Sequence, residues 1–263
     1  MNHRQPPLQS PLLWPVDWSL PVGVHAVCTT RVGGVSQAPF DSFNLGDHVR
    51  DDPQAVAQNR TLLQAQLSGA RPVFLTQVHG VDVAQVNAAT PDGTTADACI
   101  TQEPQVACTI MVADCLPLLF TDRAGQVVAA AHAGWRGLAA GVIEQTVQAM
   151  CKTAALEPHQ LRVWLGPCIG PTSFEVGPEV REVFKAHDSR AQHMFQPHPH
   201  HPGKWLADLA GLARQRLQAL GVASVAGNDS TPAWCTVTQH SKFFSYRRDG
   251  VTGRFAVSIW RDA

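Results

Sequence analysis

Several features of a secreted, membrane-bound or nucleic-acid-binding protein are missing from this sequence. Its seven cysteines are odd in number and include no C-x-x-C pair, which counts against a disulfide framework and against a zinc ribbon. No stretch approaches the ~18 consecutive apolar residues of a membrane span. The opening segment, MNHRQPPLQSPLLWP, is broken by prolines and lacks the apolar core of a secretory signal. Acidic and basic residues nearly cancel, leaving a formal net charge of −1, so no strong field points to nucleic acid or an anionic membrane. These absences predict a cytoplasmic protein with no nucleic-acid and no membrane partner. Familiar catalytic signatures are also missing: G-x-G-x-x-G, Walker A, the G-x-S-x-G elbow, H-E-x-x-H, and the H-x-E with P-C-x-x-C of nucleobase deaminases.

What is present reads as globular. Hydrophobic residues make up 44% of the 263 and charged residues 16%, enough for a sizeable core. Strands are predicted at 24–29, 73–78, 81–86, 106–112, 118–121, 127–131, 162–165, 236–238 and 255–259. Helices are predicted at 53–67, 137–150, 178–184 and 205–220, the last closed by Gly221 as a C-cap signal. DRAG, 122–125, reads as a tight turn between antiparallel strands. The alternation predicts an α+β (mixed α/β) class in one domain over 1–263, with an N-terminal extension at 1–20 and a variable His/Pro loop at 191–204. That loop, AQHMFQPHPHHPGK, has a composition compatible with adventitious metal affinity.

Three apolar runs end in residues that bind metals or attack electrophiles. FLTQVHG delivers His79, CTIMVADC delivers Asp114 and Cys115 ahead of a Leu-Pro expected to stop the strand, and VVAAAHAGWRG delivers His132. Strand ends meeting loops are where rigid scaffolds present functional groups. Two imidazoles and a thiolate leave a fourth tetrahedral position open, the pattern of a catalytic zinc. The same residues also suit a second chemistry, a cysteine nucleophile activated by His79 or His132 with Asp114 adjacent. Spacing does not separate the two.

Anion-binding candidates lie elsewhere. TTRVGGVS places Arg31 ahead of paired glycines whose amides suit an anion. GWRG places Arg136 near a helix N-terminus. FFSYRRDGVTGR clusters arginines, Arg247 among them, with Ser245 and the single tyrosine.

Taken together, TRVGGVS, FNLGDHVRDD, TQVHG, ADCLPLLF, AAHAGWRGL, LGPCIGPTSFEVG and FFSYRRDGVTGR resemble the laccase-domain family in content and order, from about Val24 to Ile259. That family is also called multicopper polyphenol oxidase, purine nucleoside phosphorylase or peptidoglycan editing factor. The resemblance implies one zinc, with copper as a possible replacement, held by His79, Cys115 and His132, with Asp114 beside them as a catalytic candidate. It implies stacked mixed sheets flanked by helices, a fold similar to cysteine hydrolases. Arg31, Asn44, Arg136, Ser245 and Arg247 become candidates for binding substrate or phosphate, with the N-terminal and C-terminal blocks converging on the metal.

The family names disagree on activity. A multicopper oxidase needs many histidine ligands, typically in repeated His-x-His pairs, and the single such pair here is His198–His200 in the variable loop. The preferred expectation is a zinc-dependent phosphorylase of adenosine, inosine or methylthioadenosine, with adenosine deaminase activity as an accompaniment. Its partners are then small molecules, a purine nucleoside and phosphate. The alternatives are a cytoplasmic amidase of peptidoglycan precursors, a copper-dependent polyphenol oxidase and a non-enzymatic zinc-stabilised binding protein.

Overall fold

The computed structural model describes residues 12–263, so residues 1–11 of the expected N-terminal extension lie outside the described residues. Two six-stranded sheets form the centre. The first has the order β1 (Leu13–Trp14), β2 (Val24–Thr29), β15 (Phe255–Arg261), β7 (Val106–Val112), β3 (Arg71–Thr76) and β5 (Thr94–Thr95). The second has the order β14 (Ser224–Gly227), β10 (Leu161–Leu165), β8 (Leu116–Asp122), β9 (Val128–Ala133), β6 (Ala98–Thr101) and β4 (Val83–Gln85). A small third sheet joins β11 (Glu175–Val176), β13 (Trp205–Ala207) and β12 (Phe195–Pro197). The large sheets are mixed: β3 runs parallel to β7, while β15 is antiparallel to both β2 and β7.

Side-chain alternation explains how the sheets stack. Along β9, Val128 and Ala130 pack with Cys108, Ile110 and Val257 of the first sheet, whereas Ala129, Ala131 and Ala133 face the opposite way. The second sheet is therefore buried on both faces, which is why its strands read as unbroken apolar runs. Its outer face is covered by α3 (Val142–Ala154), α4 (Pro178–His187) and α5 (Leu209–Ala219), through residues such as Ile143, Phe184 and Leu212. The first sheet's outer face packs Phe74, Met111 and Trp260 against Leu63 of α1 (Pro53–Ala65). Two stacked mixed sheets flanked by helices are the expected class.

Several elements differ from expectation for identifiable reasons. The 137–150 helix is two, α2 (Trp135–Ala140) and α3, divided at Gly141, whose φ of 105° is left-handed. The 205–220 helix begins only at Leu209, because Asp208 caps it by accepting from the Gly211 amide; Trp205–Ala207 pair as a strand instead. Thr236–Thr238 form a turn rather than a strand. Pro117 does not stop a strand but sits second in β8, opposite His132. The DRAG turn does join antiparallel β8 and β9, with the buried Asp122 carboxylate accepting the amides of Ala124, Gln126 and Val127. Part of the expected extension belongs to the core: Trp14 makes edge contacts with Trp234 and Phe243. Among the described residues no helix is long and apolar enough to cross a membrane.

Gly141 offers a direct test. A Cβ there would meet only the flexible Glu144 side chain, at 3.4 Å, so the cost of Gly141→Ala is backbone strain. We expect a loss of about 1–2 kcal/mol in urea unfolding with bound metal unchanged. An unchanged midpoint would show that the α2–α3 break does not need a left-handed residue.

Candidate metal centre

β7 and β8 are separated by only Ala113, Asp114 and Cys115, yet they belong to different sheets. The chain crosses the sandwich in that link, and Asp114 takes a φ of 94° to do it, a conformation uncommon outside glycine. Its carboxylate fixes the turn: Oδ1 accepts from the Thr236 hydroxyl at 2.5 Å and Oδ2 from the Arg247 amide at 2.7 Å. Both oxygens of Asp114, a catalytic candidate from the sequence, are thus engaged in holding the link. The link presents the Cys115 thiol.

His79 lies past the end of β3 with a φ of 61°. The amides of Val78, His79 and Gly80 all donate to the Asp97 carboxylate, at 3.1, 2.9 and 2.6 Å. His132 lies in β9 on the inter-sheet face of Val128 and Ala130, and its Nδ1 is 2.8 Å from Asp97 Oδ1. A single buried carboxylate thus sets the loop of one histidine and the ring of the other. With Nδ1 committed to Asp97, Nε2 is the His132 nitrogen left to take a metal, on loss of its proton.

The donor atoms of His79, Cys115 and His132 lie within 4.8 Å of one another, with His79 Nε2 3.7 Å from Cys115 Sγ. Bonds of about 2.0–2.3 Å to a tetrahedral zinc require donor separations of about 3.5 Å, so small shifts suffice to close the site. Glycine makes this crowding possible. A Cβ on Gly134 would stand 2.7 Å from His79 Cδ2 and 2.9 Å from Cys115 Sγ, and one on Gly137 would stand 2.8 Å from the Gly80 carbonyl.

Electrostatics suit a cation. Burial pushes the Cys115 thiol up, but the His132 charge and hydrogen bonds with His132 and His79 outweigh it and bring it down to about 6. Burial pulls His132 down, and the Cys115 thiolate and Asp97 raise it to about 9. Burial also acts to raise Asp97, yet hydrogen bonds from His132 and the Gly80 and Val78 amides hold it below the usual carboxylate range.

The cluster forms part of a cavity of about 430 Å³, whose lining includes Trp135, Phe174, Tyr246, Arg247, Arg254, His48 and Gln77. Of the expected anion-binding residues only Arg247 lines it. Arg31 stacks over Phe244 and bonds Asp41 and the His240 carbonyl, beside a separate surface pocket. Its block therefore meets the C-terminal one away from the cluster. The amides of Gly33 and Gly34 hold the Ser42 hydroxyl rather than an anion. Arg136 is exposed and stacks on Trp135. Asn44 and Ser245 are fully buried: Asn44 Oδ1 accepts from the Gly46 and Arg254 amides, and Ser245 caps the short helix α6 (Tyr246–Asp249). Sequence reasoning missed Asp97, His48, Gln77 and Arg254. Arg254 at least stood in a stretch already rich in arginine.

Asp97→Asn keeps the shape but sets an NH2 group either against the Val78 and Gly80 amides or against the His79 amide and the His132 Nδ1 proton. We expect metal affinity to fall about 10–100-fold in chelator competition, with the far-ultraviolet circular dichroism retained. Gly134→Ala should lose metal through direct obstruction of two donors. Wild-type affinity in either variant would remove Asp97 or Gly134 from this account.

Comparison with known proteins agrees with the fold. Residues 25–262 match the family model described as multi-copper polyphenol oxidoreductase laccase. The chain is 52% identical over 244 residues to a Pseudomonas aeruginosa protein named a purine nucleoside phosphorylase, covering 93% of this chain and 96% of that one. It is 49% identical over 245 residues to the Escherichia coli K12 purine nucleoside phosphorylase YfiH, with 93% and 96% coverage. A Neisseria meningitidis crystal structure superposes with a TM-score of 0.89 at 45% identity, covering 96% of this chain and 100% of that one. With nearly its whole length matched in sequence and in fold, the chain belongs to the laccase-domain family of multi-copper polyphenol oxidoreductase type.

Proposed function

We propose that this chain is a zinc-dependent purine nucleoside phosphorylase, acting on adenosine, inosine or methylthioadenosine, with His79, Cys115 and His132 as the zinc ligands. The observation that carries this reading is one cavity of about 430 Å³ that holds the two-histidine, one-cysteine cluster together with Arg247 and Arg254. That volume falls within the roughly 300–1,000 Å³ of small-molecule sites. The names of the relatives support the same activity.

Phosphate is already anionic at neutral pH, so it needs positioning rather than deprotonation, and guanidinium groups hold it well. One phosphate oxygen bonds to the ribose C1′ as the bond from C1′ to the purine nitrogen breaks, the purine leaving with the electron pair and taking up the proton that the hydrogen phosphate gives up. Trp135, Phe174 and Tyr246 offer aromatic faces to the base. A zinc held by His79, Cys115 and His132 would supply Lewis-acid polarisation, and copper suits the same donors. Three donors around one ion do not support electron transfer through several coppers. Deamination of adenosine calls for proton transfers, and the one carboxylate in the lining, Asp114, has both oxygens engaged. Phosphorolysis is therefore the main activity expected.

A second reading rests on the order Asp97, His132, Cys115, which is that of an orienting acid, a base and a thiol nucleophile. It would suit an amidase. Two experiments separate the readings.

Arg254→Ala should raise the phosphate KM about ten- to a hundredfold, the worth of a charge-assisted hydrogen bond of about 1.5–3 kcal/mol. Arg31→Ala, outside the cavity, should leave it near the wild-type value. An equal effect in both variants would remove Arg254 from the phosphate site.

Cys115→Asp should bind some zinc and keep detectable nucleoside turnover, because a carboxylate ligates zinc but cannot perform thiol attack. Intact mass spectrometry of wild type quenched during turnover should show no adduct. A substrate adduct on Cys115 would overturn the phosphorylase reading in favour of the amidase.

A further inference from the structure

We propose that Glu175, His198 and His201 form a second site for a divalent transition metal of the zinc, copper or nickel kind, separate from the His79 cluster. Their donor atoms lie within 4.8 Å of one another. Glu175 comes from β11, and both histidines come from HPHHPGK, the loop that joins β12 to β13. His198 Nε2 is 3.3 Å from Glu175 Oε2, and His201 Nδ1 hydrogen-bonds the same oxygen. The two imidazoles stack face to face, with centroids 4.3 Å apart and planes 5° from parallel. Two rings thereby direct a nitrogen at one carboxylate oxygen, an arrangement that converges three donors on a small volume. Imidazole and carboxylate donors without sulfur select borderline cations such as zinc, nickel and copper, with copper the tightest in the usual order.

The same contacts in the absence of metal form a hydrogen-bonded clasp, and that clasp sets the strength of the site. His198 Nδ1 accepts the amides of His200 and His201, each at 3.1 Å, which places the ring proton on Nε2 facing Glu175. A metal at Nε2 moves that proton to Nδ1, so the two amide contacts must open. Binding is therefore weaker than at the His79 cluster, where Asp97 already holds the Nδ1 proton of His132. Occupancy also bears on the cavity, because the Arg247 guanidinium donates to the backbone carbonyls of Ser173 and Glu175. An ion at Glu175 would stiffen the segment that holds a cavity arginine.

The test is metal stoichiometry, which does not depend on nucleoside turnover. Tag-free, metal-stripped protein is equilibrated against Co²⁺ by dialysis, with total cobalt and the near-ultraviolet thiolate-to-cobalt band read together. Wild type should bind two ions, one of them carrying the thiolate band. His198→Ala/His201→Ala should bind one ion with the band intact, and Cys115→Ala one ion without it. Should the double variant unfold, Glu175→Gln takes its place and should likewise bind one ion with the band intact. A single ion in wild type, or two ions in the folded double variant or in Glu175→Gln, would each overturn the second site.

Discussion

The site depends on one buried negative charge. Asp97 accepts from three consecutive amides and from the His132 ring, four donors converging on two oxygens. A carboxylate sealed between sheets is tolerated only when its lone pairs are filled, so the energetics of burial and the geometry of the histidines are one problem. The backbone carbonyl of Asp97 also accepts the His132 amide, at 2.7 Å, which continues the β6–β9 ladder to the point where the site begins. The scaffold and the centre thus share their last rung.

Around that anchor, proximity is achieved by removing atoms. Gly134 and Gly137 sit where any side chain would strike a ligand or the backbone beside one. On the other wall, the Asp114 carboxylate takes the Arg247 amide, so the crossover that presents Cys115 also determines where the C-terminal block starts. Arg254 follows through the Asn44 side chain, which binds its amide at 2.8 Å. Residues over two hundred positions apart in the chain are aligned by single polar side chains.

How far the sequence revealed this varies residue by residue. His79, Cys115 and His132 were legible because glycine beside an apolar run marks an exposed turn, and the ordered family blocks tied the three together. Asp97 was not, since an acid ahead of the short run ACI looks like any solvated strand end until its amide partners, 17 to 19 residues away, are in place. The glycine pair after Arg31 read as an anion cradle for a related reason: its amides look free in the sequence, but the Ser42 hydroxyl takes them in the fold. Stacked mixed sheets were legible from alternating elements and the family pattern, whereas strand order was not, because pairing between β2 and β15 joins residues that no local pattern connects. Trp205–Ala207 reads as helix by composition, and only the Asp208 cap and the pairing with β12 decide otherwise.

The position of β15 has a consequence for biosynthesis. It is the final strand of the chain, yet it lies inside the first sheet, between β2 and β7, rather than on an edge. While a ribosome is still translating, β2 and β7 have no strand between them, and the edges that will pair with β15 are unpaired. The three donor residues, contained within positions 79–132, emerge long before that gap is filled, whereas Arg247 and Arg254 arrive with the strand that fills it. A nascent chain therefore passes through a stage in which metal donors are present on an open, aggregation-prone sheet.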